Sequence, residues 1–128
     1  MLQNNQTILI ADDDDDIREL LSAVLNMKGY NVAAVTDINP QDIKEKPDLI
    51  LLDVLLGGKN GKDICSALKN YSSTKDIPVI MFSGLSDAKQ QCLAAGADEF
   101  ILKPFKIPVL VNLIENLTNK KPALQSSY

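Results

Sequence analysis

The stretch Asp48-Leu-Ile-Leu-Leu-Asp53 (DLILLD, residues 48–53) carries the strongest structural signal in the sequence. Four large apolar residues follow one another between two acids, without the polar alternation of a half-exposed strand. Such a run is typical of a strand that is buried on both faces of a parallel sheet, where helices cover both sides. It predicts a strand over residues 48–52 that runs into Asp53.

Shorter apolar runs recur on both sides of this stretch, and segments of helical spacing separate them. The predicted strands cover residues 7–11, 31–35, 48–52, 78–82 and 100–102. Helical spacing occurs at 17–25, weakly at 39–46, at 64–68, at 87–95 and at 107–118. Asp15 or Asp16 can cap the first helix and Gly29 can end it. Asp14, Asp15 and Asp16 are together interpreted as helix-capping and solvated acids. Five strands that alternate with five helices predict a doubly wound parallel sheet of the α/β class.

The length of 128 residues predicts a single domain over 1–128, with a core over about residues 6–118 and a polar tail over 119–128. Thirteen basic and seventeen acidic residues give a net charge of −4. Nonspecific nucleic-acid binding is therefore not expected as the main activity, because it needs a basic surface. No apolar run approaches the ~20 residues of a membrane helix, and the amino terminus lacks the features of a signal peptide, so a cytoplasmic protein is expected.

The counts of histidine and cysteine narrow the possible chemistry. The sequence has no histidine, which excludes nucleophiles of the Ser-His and Cys-His type. Its two cysteines, Cys65 and Cys92, lie far apart in apolar segments and are interpreted as small buried hydrophobic residues. Two cysteines cannot hold zinc without further ligands. Among the remaining side chains, a carboxylate is the natural nucleophile.

Polar side chains stand at the ends of four predicted strands. They are Asp12 and Asp13 after the first strand, Asp53 after the third, Ser83 after the fourth and Lys103 after the fifth. Ligands of such sheets bind beyond these carboxyl ends, so the side chains are expected to meet. Three carboxylates at one edge repel one another unless a cation lies among them. Mg²⁺ binds one or two carboxylates and keeps waters that a phosphate can replace, so the set predicts a magnesium-dependent phosphoryl site.

Several short motifs at these positions together resemble the receiver domains of two-component response regulators. The matching segments are ILIADDD (8–14), PDLILLDV (47–54), NG (60–61), PVIMFSG (78–84), AAGADEF (94–100) and LKPF (102–105). The resemblance extends over essentially residues 6–118. It implies a flavodoxin-like fold with the strand order 2-1-3-4-5.

The resemblance also implies roles for the acidic residues. Asp53 would be the phosphoacceptor, which takes a phosphoryl group from a phosphohistidine of a sensor histidine kinase or of a histidine phosphotransfer protein. Asp13 and Asp53 would ligate Mg²⁺ together with the backbone carbonyl of Leu55. Asp12 would act mainly through a water on the metal.

Further residues match the family's switch. Lys103 would pair with the phosphoryl oxygens, and its bond to Pro104 is expected to be cis. Ser83 would move to hydrogen-bond the phosphoryl group, and Phe100 would be the aromatic residue that turns inward with it. The output surface for a downstream protein target is then expected on the fourth helix, the fifth strand and the fifth helix.

The resemblance implies a signalling switch that catalyses only its own phosphoryl transfer and a slow dephosphorylation, not an enzyme with a separate substrate. Leu55 and Leu85 are apolar at positions that flank the path of the attacking water, so a phosphoryl lifetime of hours is expected. No direct contact with nucleic acid or membrane is expected. A monomer or a weak homodimer is expected, and Val111, off the inner face of the last helix, is a weak indication of a dimer.

The sequence departs from the family pattern in three places. Gly57 replaces the proline that usually follows the phosphoacceptor, which predicts a looser loop. The interval from Ser83 to Lys103 is slightly short, so the helix between them, or the loop before it, is expected to be trimmed. Phe100 lacks a hydroxyl and would fill space without adding a hydrogen bond.

Three other interpretations are compatible with parts of the sequence. A pseudo-receiver would keep the fold as a docking module without phosphorylation, although the complete acid set disfavours it. A phosphatase or mutase with an aspartate nucleophile would need Thr or Val where Asp16 stands. A flavin-binding relative of flavodoxin would need backbone donors and hydroxyls where the first strand is followed by acids. Whether the chain acts alone or belongs to a longer regulator or hybrid kinase stays open.

Overall fold

The computed structural model describes residues 6–119, and its centre is a five-stranded parallel sheet. The strands are β1 (Thr7–Ala11), β2 (Asn31–Val35), β3 (Leu49–Asp53), β4 (Leu55–Leu56), β5 (Lys59–Asn60), β6 (Val79–Ser83) and β7 (Glu99–Leu102). The large sheet has the order β2-β1-β3-β6-β7, and β4 pairs with β5 alone. The predicted α/β class with a flavodoxin-like parallel sheet is confirmed.

The predicted strand order of 2-1-3-4-5 needs correction, because it counted five strands. The additional strands β4 and β5 form an antiparallel hairpin directly after β3. Gly57 and Gly58 make its two-residue turn with φ angles of 55° and 82°. A Gly-Gly pair between short runs is a known hairpin signal, because such turns need a positive φ at both central residues and glycine adopts it without strain. The Gly57-Gly58 pair therefore indicated a hairpin, which the predicted count of five strands did not include.

The predicted number of helices was also wrong, since the described residues form four α-helices. These are α1 (Asp15–Met27), α2 (Gly61–Asn70), α3 (Ala88–Ala94) and α4 (Ile107–Thr118). The helix predicted at 39–46 is only a 3₁₀ turn, Pro40–Asp42, after which Ile43 is extended. A segment between two prolines with few apolar residues gains too little from packing to offset the cost of helix nucleation.

Each face of the sheet carries its own apolar core, as expected for a doubly wound sheet. Successive residues along each strand point to opposite faces and so belong to different cores. Every residue of β3 is buried. One face packs against α1 and α4, and its core includes Ile8, Ile10, Leu49, Leu51, Ile80, Phe82, Leu21, Leu25, Leu110 and Ile114. The other packs against α2 and α3, and its core includes Leu9, Ile50, Leu52, Val79, Met81, Cys65, Leu68 and Cys92. The prediction of a doubly buried central strand is confirmed.

Several smaller predictions can be compared with these cores. Cys65 and Cys92 are free, buried thiols, and burial raises the pKa of the Cys65 thiol to about 11. Val111 is buried in the core with 7% exposure, so it gives no support for a dimer surface. Asp14, not Asp15 or Asp16, caps α1, because its carboxylate accepts hydrogen bonds from the N–H groups of residues 16 and 17. No helix among residues 6–119 is long and apolar enough to cross a membrane.

Gly61 fixes the start of α2 against the end of β3. A Cβ atom at this position would lie 2.2 Å from the carbonyl oxygen of Asp53 and 2.8 Å from that of Val54. Real Cβ atoms do not approach backbone oxygens so closely, so only glycine allows the helix to begin here. The close approach holds the chain after Asp53 in place.

We expect Gly61→Ala to lower the free energy of unfolding by roughly 2–3 kcal/mol, because the backbone of residues 53 and 54 must shift to admit the methyl group. Urea denaturation followed by circular dichroism measures the effect. Gly58→Ala is the matched control: a Cβ there meets nothing within 4 Å, and only the positive φ of Gly58 adds a cost of about 1 kcal/mol. Equal losses in the two variants would contradict this role of Gly61.

Candidate functional site

The carboxyl edge of the sheet forms a cleft of about 360 Å³. Its lining comprises Asp12, Asp13, Asp14, Asp53, Val54, Leu55, Gly58, Ser83, Gly84, Leu85 and Lys103. The parallel register explains why these residues meet, because β1, β3 and β6 are neighbours and end at the same edge. The predicted site residues are therefore brought together, except for Phe100.

Three carboxylates form the floor and wall of this cleft. One ligand oxygen from each of Asp12, Asp13 and Asp53 lies within 4.8 Å of the others. Asp12 is fully buried, Asp53 is 8% exposed and Asp13 is exposed. Asp12 uses Oδ1 to accept a hydrogen bond of 2.9 Å from the N–H of Asp14. Its Oδ2 is buried and has no hydrogen-bond partner within the described part of the chain.

Lys103 provides the fixed positive charge of the cleft. Its Nζ atom lies 3.6 Å from Oδ2 of Asp12 and 3.6 Å from Oδ2 of Asp53. The same atom lies 4.8 Å from the centre of the Phe82 ring, within the range of a cation–π contact. The Lys103–Pro104 peptide bond is cis, as expected from the motif. The ammonium group is thus held between two carboxylates over an aromatic face.

One ammonium group does not balance the acids. Burial raises the pKa of the Asp53 carboxyl from 3.8 to about 6, and the negative charge of Asp12 adds to the rise. The Lys103 ammonium and the N–H of Leu55 act in the opposite direction without cancelling it. The cleft therefore disfavours a charged Asp53 unless further positive charge enters.

The donor set fits a hard divalent cation such as Mg²⁺. Carboxylate and carbonyl oxygens are its preferred ligands. The buried Oδ2 of Asp12 has no hydrogen-bond partner among the described residues, and such an ion or one of its waters would supply one. Asp13 and Asp53, with the backbone of Leu55 next to them, offer the remaining oxygens. A cation there would also relieve the repulsion that raises the Asp53 pKa.

The hydroxyl of Ser83 lies on the opposite wall from the carboxylates of β1. Ser83 is 5% exposed, and its Oγ accepts a hydrogen bond of 3.0 Å from the N–H of Leu85. Its O–H hydrogen is left to donate into the cleft. Leu55 and Leu85 stand at the mouth, 65% and 64% exposed.

Phe100 does not line the cleft. It lies in β7, paired with Met81, and packs half-buried against the core on the side of α2 and α3. Lys103 follows on the same segment, and its N–H donates to the carbonyl of Ser83 at 2.7 Å. Phe100 and Ser83 thus lie on neighbouring strands, β7 and β6, that are hydrogen-bonded to each other.

Two residues that sequence reasoning did not assign to the site contact its acids. Arg18 donates from Nη1 to the backbone carbonyl of Asp12 at 2.8 Å. Gly57 donates its N–H to Oδ2 of Asp13 at 3.1 Å. The helical spacing around Arg18 gave no indication of this contact. The Gly-Gly pair, in contrast, predicts a hairpin directly after the strand that ends at Asp53, and such a hairpin would lie beside the cleft.

Comparison with known proteins gives consistent results. A family model described as "Response regulator receiver domain" matches residues 8–115. The chain is 41% identical over 111 residues to the phosphate regulon transcriptional regulatory protein PhoB of Pseudomonas aeruginosa, with 83% of this chain and 48% of that protein covered. The chain thus spans about half the length of the curated relatives it matches.

Solved structures show the same likeness. The signal receiver domain of a signal transduction histidine kinase from Syntrophus aciditrophicus is 32% identical with a TM-score of 0.80, and 96% of this chain and 97% of that chain are covered. The receiver domain of a sensor histidine kinase from Pseudomonas aeruginosa, described with a magnesium ion in its active site cleft, is 23% identical with a TM-score of 0.78, covering 90% of this chain and 98% of that chain. At that identity the second structure supports the fold alone. The resemblance read from the motifs is confirmed.

The raised pKa of Asp53 predicts a pH dependence of stability without metal. The folded state binds the proton more tightly than the unfolded chain, so stability is fully present below pH 3.8 and is lost as the pH rises through about 6. In EDTA at pH 8, we expect Asp53→Asn to be more stable than the wild type by roughly 1–3 kcal/mol. Urea denaturation between pH 4 and about 8 measures both curves. The same slope in the two proteins would contradict the prediction.

Proposed function

The chain belongs to the response regulator receiver domain family, and we propose that it is a phosphoacceptor switch of a two-component system or phosphorelay. The observation that carries the proposal is the juxtaposition of three carboxylates, Lys103 and Ser83 around one cleft. A docking module without phosphorylation would have no need for a buried, mutually repelling acid set.

Asp53 is the nucleophile of the proposed reaction. One of its carboxylate oxygens attacks the phosphorus of a partner's phosphohistidine, the P–N bond breaks, and the histidine leaves with the electron pair of that bond. The product is an aspartyl phosphate on Asp53 and an unmodified histidine on the partner. The position of Asp53 at the end of β3, with its side chain in the cleft, supports this assignment.

The residues that would hold Mg²⁺ are Asp13, Asp53 and the backbone carbonyl of Leu55, with Asp12 acting through a water. A bound Mg²⁺ supplies positive charge against the phosphoryl oxygens. Asp12 and Asp13 would hold the cation beside Asp53. The cluster of three ligand oxygens within 4.8 Å and the orphaned Oδ2 of Asp12 support the assignment.

Lys103 and Ser83 act on the phosphoryl group itself. Lys103 is the fixed cation that already lies 3.6 Å from Asp53, and its charge would pair with a phosphoryl oxygen. Ser83 would donate its O–H hydrogen to another oxygen. Because β6 and β7 are hydrogen-bonded neighbours, a movement of Ser83 would reach Phe100, which we propose as the aromatic switch residue.

The proposed partners follow from this chemistry. The phosphoryl donor is a sensor histidine kinase or a histidine phosphotransfer protein, and the phosphorylated chain controls binding of a downstream protein. The chain catalyses its own modification and is not proposed to turn over a separate substrate. We place it in the cytoplasm, where its two free thiols stay reduced. The relative PhoB is named as a transcriptional regulatory protein, and the match covers only 48% of it. Contact with nucleic acid is therefore not proposed for residues 6–119.

Incubation with acetyl phosphate and Mg²⁺ is expected to add one phosphoryl group to the intact protein, because the small donor replaces the phosphohistidine. Intact-mass spectrometry measures the gain with and without Mg²⁺. Asp53→Asn is expected to show no gain, while Asp48→Asn, an exposed acid at the other end of the strand, is expected to behave as the wild type. A folded wild-type protein that gains no mass would favour the pseudo-receiver instead.

The aspartyl phosphate is expected to last for hours in magnesium buffer, because the exposed side chains of Leu55 and Leu85 cannot orient an attacking water. Leu85→Asn places an amide at the mouth of the cleft and is expected to shorten the half-life several-fold. Leu20→Asn changes a leucine of α1 that is 50% exposed and does not line the cleft, so it serves as the control. A wild-type half-life below a minute would contradict the prediction.

A further inference from the structure

Two backbone N–H groups of the β4–β5 hairpin, one in β4 and one in the turn, donate hydrogen bonds to two different carboxylates of the cleft. The N–H of Leu55 donates to Oδ1 of Asp53 at 3.3 Å, and the N–H of Gly57 donates to Oδ2 of Asp13 at 3.1 Å. We propose that the β4–β5 hairpin is a positioning element for the metal ligands, and that the N–H of Gly57 holds Asp13 in place for Mg²⁺. This inference rests on the proposed function.

Asp13 needs such a restraint more than the other acids do. It is exposed on the connection between β1 and α1, whereas Asp12 and Asp53 are buried. Repulsion from two buried carboxylates would favour rotamers of Asp13 that turn towards solvent. A hydrogen bond from Gly57 to Oδ2 opposes that rotation. A carboxylate has about four lone-pair sites, so the remaining sites stay available to a cation.

The hairpin can restrain Asp13 because it is itself anchored. Leu56 is buried in the core with 1% exposure. Lys59 Nζ forms an ion pair of 2.7 Å with Oδ2 of Asp37, which lies two residues after the end of β2. Asn60 caps α2 by accepting the N–H of Lys62 at 2.9 Å. The turn between these anchors therefore presents the N–H of Gly57 in a fixed direction before any metal arrives.

The turn conformation explains why glycine stands at this position. Gly57 and Gly58 have φ angles of 55° and 82°, and proline, the usual residue of the family after the phosphoacceptor, cannot adopt a positive φ. Proline also has no N–H to donate. The departure from the family pattern thus supplies a donor to Asp13.

The experiment compares Mg²⁺ affinity by NMR titration of the metal-free protein. Gly57→Pro removes the donor and is expected to weaken the affinity about tenfold, the scale found when a partner that orients a metal ligand is lost. Gly57→Asn keeps the N–H and tolerates a positive φ, and it is expected to stay within about twofold of the wild type. Gly29→Asn is the control, because Gly29 also has a positive φ, of 97°, and does not line the cleft. Equal affinities for Gly57→Pro and Gly57→Asn would overturn the proposal.

A second measurement does not depend on the folding of Gly57→Pro. In the wild-type protein without metal, the amide proton of Gly57 is expected to be shifted downfield and protected from exchange, and Asp13→Ala is expected to abolish both effects. An amide that does not respond to Asp13→Ala would overturn the proposal. If the wild type bound no Mg²⁺ at all, the proposed function would fail together with the inference. Binding that is unaffected by the loss of the donor would refute the inference alone.

Discussion

The repulsion among the acids at the end of β1 and β3 is the constraint on which the site depends. Asp12 and Asp53 are buried next to each other, and the ammonium group of Lys103 is 3.6 Å from both. One cation cannot neutralise two buried carboxylates and the adjacent Asp13, so burial and charge together raise the pKa of Asp53. A protein whose only requirement was stability would replace these acids with apolar or neutral groups. Their presence in the cleft is explained if a cation and a phosphoryl group bind there.

The packing of the sheet keeps these mutually repelling acids together at one edge. Two apolar cores hold the sheet rigid from both faces, so the ends of β1, β3, β6 and β7 cannot drift apart to relieve the repulsion. The same rigidity links the cleft to more distant surfaces. Ser83 and Phe100 lie on hydrogen-bonded neighbouring strands, and the backbone of Lys103 is bonded to the carbonyl of Ser83. Ser83 and Phe100 are therefore linked through the ladder between β6 and β7.

The hairpin after β3 shows how a departure from a family pattern can be compensated. A glycine in place of proline would by itself loosen a loop, because glycine gives the unfolded chain more freedom. Here the turn lies between the buried Leu56, the ion pair of Lys59 with Asp37 and the cap at Asn60. The backbone N–H gained at Gly57 then reaches Asp13, which a proline could not do.

The fold class, the two-sided burial of β3 and the polar residues at the strand ends could be predicted from the sequence, because apolar runs and strand termini are local patterns. Local patterns also misled where little packing was available, as in the helix predicted at 39–46, which is only the 3₁₀ turn Pro40–Asp42. The structure was needed to show that Phe100 lies outside the cleft and that the N–H of Gly57 reaches Asp13, 44 residues away in the chain. Distances between segments far apart in the chain follow from how the helices and strands pack, and no local pattern encodes them.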